Sequence, residues 1–384
     1  MALTGRTIGS SGLRLALAVH SLDSVGGTEV NVFQTARELS RRGHQIDLLS
    51  PRAGALEAEY RSFCRSVNRT PIFDFARNRG LRDLIRMTPA VWSAVSRRPD
   101  VIYANRFSEV VWAAISGTLA RAPVVCHLHE IRNRRPGNWP ARRIRFIAVS
   151  EYLRRAWIDV GLPPERIAVV QNGIDPQFYR PGGMPERSEA RAQLGLPEEG
   201  FVVLYYGRLD PEKGVEVLLD AWGRLGVAPG EGRLVLLGSA SLHHPDPAGY
   251  ERFLHARAPA GCSWLPPRAD VLLFLHAADV VAVPSIWEEP FGRVVIEAMA
   301  TGRPVVASRT GGIPEILSGS FKDLMVDPGD SAALATALGA LMGWRQSKPE
   351  LAARCADHIR HRFSLERTVD GIERVLTDAA HGAQ

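Results

Sequence analysis

Residues 284–304 read PSIWEEPFGRVVIEAMATGRP, and their pattern sets the fold class. A buried-type apolar run, Asp279–Val283, ends at Pro284, and an acidic loop follows. Gly292 then opens a helical stretch, Arg293–Ala300, that stops at Gly302, and a second apolar run, Pro304–Ala307, begins almost at once. Strand, loop, helix and strand in so short a space is the repeating unit of a parallel sheet. Parallel neighbours cannot be joined by a hairpin and need a crossover, which is usually a helix.

Working outward, the same alternation fills the chain. Before residue 176 the strand-like runs are Leu13–Val19, Gln45–Leu49, Val101–Ala104, Val124–His127, Phe146–Val149 and Ile167–Gln171, with helical stretches such as Glu29–Arg42 and Glu151–Val160 between them. After residue 185 the series starts afresh with Phe201–Tyr206 and Arg233–Leu237, and with helical stretches at Lys213–Leu225 and Ala332–Met342. Strands this uniformly apolar belong to parallel sheets covered on both faces. The break is PQFYRPGGMP, Pro176–Pro185, which is rich in Pro and Gly and has no periodicity. The expected architecture is α/β: two Rossmann-like doubly wound domains, residues 1–178 and 179–363, facing each other across a ligand cleft. The tail, 364–384, reads as an amphipathic helix with Ser364 as N-cap and Arg367 in its first turns. Its apolar positions Leu365, Val369, Ile372 and Val375 need a surface, expected on the N-terminal domain.

Composition agrees with two domains of ordinary size in 384 residues. With 45% apolar and 23% charged residues, a disordered, collagen-like or disulfide-stapled chain is excluded. The four cysteines show no CxxC spacing, which points to a reducing cytoplasm and no zinc site. Met1–Ser10 lacks the apolar core of a signal peptide, and no run reaches the ~18–20 apolar residues of a spanning helix. A soluble, cytoplasmic protein is expected. The formal charge of +6 is lopsided: +12 over residues 1–180 and −6 over the rest. Only three of the 47 basic residues are lysines (Lys213, Lys322, Lys348).

Four Gly-centred loops follow strands, where α/β sheets present backbone N–H groups to ligands. Gly26-Gly27-Thr28-Glu29 opens onto a helix. In Tyr206-Gly207-Arg208-Leu209-Asp210-Pro211-Glu212-Lys213-Gly214, a guanidinium and an ammonium can converge at one strand end, a pairing suited to a diphosphate that gains charge as it leaves. In the 284–304 stretch, Glu297 lies just over one turn into an apolar helix. A carboxylate there is costly to bury unless it accepts hydrogen bonds, for example from a ribose diol. Glu289 lies in the preceding loop. The last loop is Thr310-Gly311-Gly312-Ile313-Pro314-Glu315. His127 and His129 close the strand Val124–His127 and, by period-2 alternation, share a face.

Taken together, the Gly26–Glu29 loop, Asn172-Gly173-Ile174-Asp175, Gly207-Arg208…Lys213-Gly214, the Glu289-x7-Glu297 block through Gly302-Arg303-Pro304, and Gly311-Gly312 resemble the retaining glycosyltransferase family 4 (glycosyl transferases group 1), of GT-B fold. The resemblance covers nearly the whole chain. It implies that Arg208 and Lys213 hold the donor's diphosphate, that Glu297 binds the nucleotide ribose, and that Glu289, with backbone N–H groups at Phe291, Gly292, Arg293 and Val294, engages the donor sugar and distal phosphate. Gly26 and Gly27 would approach the phosphates, and His129, better placed than His127, would bond the transferring sugar or the acceptor. Arg268, in the loop Leu265-Pro266-Pro267-Arg268, is the candidate contact to the base. Arg293 replaces an aliphatic residue common in relatives.

The resemblance implies a UDP-sugar or GDP-sugar donor, a hexose-type sugar, net retention, and no metal or other cofactor. Charge on the leaving group would fall to Arg208, Lys213 and the Gly292 helix end. A nicotinamide-dependent enzyme is disfavoured because no GxGxxG follows a strand with an acid about 20 residues on. A non-catalytic nucleotide-sugar sensor is the remaining different class. Two acceptors stay open. One is a soluble small molecule, which is preferred. The other is a lipid-linked glycan at the inner face of a membrane, drawn by Arg77, Arg79, Arg82 and Arg86 with Trp92 nearby. Residues 121–155 add nine Arg against Glu130 and Glu151, including Arg132, Arg134, Arg135, Arg142 and Arg143, without the aromatic interleaving of a nucleic-acid surface.

Overall fold

The computed structural model describes residues 12–23, 26–75, 80–131, 144–228, 230–241, 244–268 and 270–382. Met1–Ser10, Arg77, Arg79 and the basic run 132–143 lie outside them. The chain forms two compact units, 1–171 together with 365–384, and 172–364.

The first unit is built on a seven-stranded parallel sheet of order β3-β2-β1-β4-β5-β6-β7. The strands are β1 (Arg14–Ala18), β2 (Gln45–Ser50), β3 (Ser66–Arg69), β4 (Val101–Ala104), β5 (Val124–Leu128), β6 (Ile144–Ala148) and β7 (Ile167–Val169). β1 pairs with β2 in the register Leu15↔Ile46 and with β4 as Leu15↔Val101, so the chain reverses its direction of winding between β1 and β4. Ligands gather at such a reversal, because the crossovers leave on opposite faces and open a crevice at the carboxyl ends. The polar edge strand β3 did not stand out in the sequence.

The helix Leu365–His381 completes this unit. Leu365, Val369, Ile372 and Leu376 are buried in its core with Leu13, Leu17 and Val32, each adding roughly 1.5–3 kcal/mol of burial. Val375 is only partly buried, and Leu376 takes the inward place instead. Arg42 donates to Asp370 (2.7 Å) and Glu373 (2.6 Å), and His44 Nε2 meets Glu373 at 2.8 Å, which fixes the helix in register. Ser364 forms an isolated parallel bridge with Ile174, and the helix begins at Leu365.

The second unit carries a six-stranded parallel sheet of order β10-β9-β8-β11-β12-β13. These strands are β8 (Phe201–Tyr206), β9 (Gly232–Leu237), β10 (Cys262–Leu265), β11 (Val280–Val283), β12 (Val305–Ser308) and β13 (Met325–Val326). Its winding reverses between β8 and β11. At the amino end of β11 the buried Asp279 accepts from Arg191 Nη2 (2.7 Å), Arg345 Nε (3.1 Å), Arg187 Nε (3.4 Å) and the Val202 N–H (2.9 Å). Burial works against its charge, but the guanidiniums outweigh that and hold the carboxyl below the usual range. This knot ties β8 to β11 at the end remote from the carboxyl-end loops. Within PQFYRPGGMP, Tyr179 is 5% exposed, and the helix Met184–Leu194 has already begun by Pro185. The stretch that reads as a break is therefore packed into the second unit.

Candidate active site

At the reversal of the second unit, the two loops with the strongest sequence signals leave neighbouring strands. β8 ends in Tyr206, Gly207 follows at φ 148°, and Arg208 turns outward, its side chain 55% exposed and 2.8 Å from Asp210 Oδ2. A short 3-10 turn, Pro211–Lys213, brings Gly214 to φ 66° at the start of the helix Val215–Leu225. Only glycine fits there, since a Cβ would lie 2.0 Å from the Pro284 carbonyl oxygen. That contact presses the β8 loop against the β11 loop, and Ile286 N–H donates to the Glu212 carbonyl at 2.9 Å.

The result is a convergence of charges. Lys213 Nζ donates to Glu289 Oε1 at 2.6 Å, and Ser285 Oγ donates to the same oxygen at 2.6 Å. Gly312 N–H donates to the Glu289 carbonyl at 2.8 Å, so the fourth Gly-rich loop holds the acidic loop from behind. Gly292, at φ 106°, caps the helix Arg293–Ala300 three residues after Glu289. Phe291 is buried and packs edge-on against Phe363, which anchors the loop at that end.

Glu297 shows how a carboxylate is accommodated in an apolar helix. Its Oε1 accepts from Tyr179 Oη (3.0 Å) and Arg293 Nε (2.7 Å), and its Oε2 from Tyr206 Oη (2.9 Å). The hydrogen bonds that its burial demands come from the chain's own donors. Arg293 is buried against Glu297, whose charge outweighs burial and raises the guanidinium's pKa. Burial and the Glu297 charge raise the pKa values of Tyr179 and Tyr206, so both remain phenol donors. Arg268 stands apart, exposed and paired with Asp270 at 3.0 and 3.1 Å.

In the first unit, Gly26 (φ 113°) precedes the helix Gly27–Arg41, and Glu29 in its first turn pairs with Arg106 beyond β4. His129 Nε2 lies 3.2 Å from Asn105 Oδ1. An amide oxygen only accepts, so the ring carries its hydrogen on Nε2. His127 meets Tyr103 Oη at 2.8 Å through Nδ1, and the two imidazoles are 4.1 Å apart. Burial pushes His127 down to about 3, and burial, His127 and Arg106 push His129 well below its ordinary value. Both are neutral at physiological pH. Glu109, fully buried, accepts the N–H groups of Asn105 (2.9 Å) and Arg106 (3.2 Å), and burial raises its pKa to about 8.

Sequence reading missed Tyr179, Tyr206, Ser285, Asn105 and Glu109 as members of these clusters. Glu109, an acid ahead of the apolar VVWAA run, carried a signal of the kind that singled out Glu297. Tyr179 carried none, because the stretch around it has no period.

Both units are parallel α/β layers with Gly-rich turns at their reversals, and the second brings Lys213 onto Glu289 there, while Arg208 turns out to Asp210 and Glu297 is held by Tyr179, Tyr206 and Arg293. Residues 25–178 match the family described as Glycosyltransferase Family 4, and residues 186–362 match Glycosyl transferases group 1. The chain is 30% identical to the D-inositol 3-phosphate glycosyltransferase of Acidothermus cellulolyticus, covering 94% of this chain and 88% of the relative. It is 32% identical to that of Rhodococcus jostii, covering 93% and 85%. Among solved structures, Anabaena HepE in complex with UDP and glucose superposes with a TM-score of 0.80 at 28% identity, over 95% of this chain and 99% of that one. A glycosyltransferase from Rickettsia africae shares the fold at 17% identity, with a TM-score of 0.83 over 96% of this chain and 98% of that one. The chain belongs to glycosyltransferase family 4 and has the GT-B fold.

Proposed function

We propose that the chain transfers a hexosyl group, with retention and without a metal ion, from a UDP-sugar to a hydroxyl of a small polyol phosphate. The units divide the labour: the first (1–171 with 365–384) takes the acceptor, and the second (172–364) takes the donor. One observation carries the reading, the meeting of the Arg208–Lys213 loop with the Glu289 loop at the winding reversal, where Lys213 and Glu289 lie 2.6 Å apart. A donor diphosphate entering there takes Lys213 from Glu289. Arg208 and Lys213, with the N–H groups of Phe291–Val294 at the Gly292 helix end, then stabilise the charge that grows on the leaving phosphate. Glu289, freed, accepts from the sugar's hydroxyls. Glu297 accepts from the ribose, Gly26 and Gly27 allow close approach to the phosphates, and Arg268 flanks the base. Neutral His129 turns its Nε2–H from Asn105 to the transferring sugar or its acceptor.

Support for the donor comes from HepE, solved with UDP-glucose at 27% identity. Support for the acceptor comes from the relatives named for D-inositol 3-phosphate. Membership of the family supports retention, in which the leaving phosphate is the base that takes the acceptor's proton on the same face. Arg208→Ala and Lys213→Ala test the site: each should lower turnover with UDP-glucose by roughly 10²–10³. Unchanged turnover in both would remove the diphosphate role, and a β-linked product by anomeric proton coupling would overturn retention.

A further inference from the structure

The helix Gly80–Ser96 in the first unit has more apolar surface than its core contact uses. Asp83, Met87, Ala90, Val91 and Ala94 are buried and form one face. At 100° per residue, Leu81, Leu84, Ile85, Thr88 and Trp92 form a second stripe about 100° wide. Along it Leu81 is 73% exposed, Ile85 64%, Trp92 72% and Leu84 39%. Arg82 and Arg86, both exposed, lie about 60° and 100° beyond Ile85, on the far side of the stripe from Leu84, with Arg86 bordering the core face. Neither pairs with a carboxylate among the described residues.

Single exposed apolar residues are ordinary, but four in register on one helix, with a tryptophan at one end and arginines alongside, form a directed surface. Each part has a place at a bilayer. Leucine and isoleucine enter the acyl boundary, the indole sits at headgroup level, and guanidiniums meet lipid phosphates. The helix is no membrane span, and no described helix is long and apolar enough to cross. A second copy of the chain suits the stripe less well. It would bring the same Arg82 and Arg86 against each other, on a half of the chain with a formal charge of +12 over residues 1–180. The sequence places Arg77 and Arg79 just before the helix, adding to the same sign.

We infer that this helix is a docking surface for an anionic lipid bilayer, seated on Leu81, Leu84, Ile85 and Trp92 and held by Arg82 and Arg86. The docking places the enzyme at the membrane whichever acceptor it uses. It does not depend on the donor-site assignments above.

Flotation of the full chain with lipid vesicles tests it. Phosphatidylcholine vesicles carrying roughly 30% phosphatidylglycerol should lift the protein, and pure phosphatidylcholine should not. Salt at about 0.5 M, where the Debye length is only about 4 Å, should release it. Arg82→Gln and Arg86→Gln should each weaken partitioning about fivefold. The double variant Ile85→Ser, Trp92→Ser should weaken it tenfold or more. These side chains are exposed, so thermal midpoint and turnover in free solution should not change. Flotation that is absent, indifferent to lipid charge, or unaffected by these substitutions would overturn the proposal. So would a concentration-dependent dimer in sedimentation that the double variant abolishes, which would assign the stripe to a second copy.

Discussion

Replacing Gly311 with alanine isolates how the acidic loop is held. Gly311 lies at φ 57°, and a Cβ there would stand 2.0 Å from the Glu289 carbonyl oxygen and 2.5 Å from its nitrogen. To reach 3.0 Å the oxygen must retreat by about 1 Å, and it also accepts the Gly312 N–H at 2.8 Å. The Glu289 carboxylate, meeting point of Lys213 and Ser285, shifts with it. The left-handed backbone alone costs roughly 1–2 kcal/mol with a side chain, and forced overpacking adds roughly 1–3 kcal/mol. In a unit of this size that is a fall of about 5–15 °C in thermal midpoint. A 1 Å misplacement at a reacting centre costs on the order of 100-fold in turnover. The control is Gly319→Ala: its φ is 62°, and nothing lies within 4 Å of its Cβ. It bears the backbone strain without the collision, so it should lose a few degrees and keep full turnover. The assay is turnover of the proposed UDP-sugar donor well below both midpoints, with thermal unfolding alongside. If Gly311→Ala matches Gly319→Ala in both measurements, the loop is not held as argued, and Glu289 is not fixed by its neighbours.

Arg293→Leu restores an aliphatic residue and removes one of three donors to Glu297. Donor KM should rise about tenfold with kcat nearly kept, because a charge-assisted bond to a buried carboxylate is lost while the leaving-group contacts remain. In a Glu297→Ala background the same substitution should add little, and full additivity in steady-state kinetics would refute the coupling. Glu109→Gln tests burial in the first unit. The carboxyl's pKa is raised to about 8 in the fold and lies near 4.3 unfolded, so its stability contribution is intact below about pH 4.3 and is lost as pH climbs through 8. Chemical denaturation should find variant and wild type within about 1 kcal/mol of each other at pH 5 and the variant ahead by on the order of 5 kcal/mol at pH 9. A pH-independent difference would mean that Glu109 is ionised in the fold.

The parallel sheets were legible in apolar runs such as Val101–Ala104 and Phe201–Tyr206, because a strand buried on both faces needs no partner to reveal its period. β3 was not, since its four residues, SVNR, are only partly buried at a sheet edge and carry no apolar signal. The last helix was legible as amphipathic, yet the choice of Leu376 over Val375 came from the shape of the surface it meets. At the site, Gly207, Gly214 and Gly292 announced loops because a turn at positive φ leaves its mark in residue type. Glu297 announced a buried acid, but the identity of its donors did not follow.

The sequence alone determined the class: strand, crossover and glycine turn are local, and each is written in neighbouring residues. It also determined where the loops fall, at the carboxyl ends of strands. Only the tertiary structure decided which charges meet. Lys213 and Glu289 are separated by 76 positions, and Tyr179 and Glu297 by 118. Contacts at such separations depend on sheet order and register, which no local pattern encodes. The same reason kept the exposed stripe of Gly80–Ser96 hidden: a helix with apolar residues on two faces does not say which one faces the core until Met87 and Ala90 have been packed.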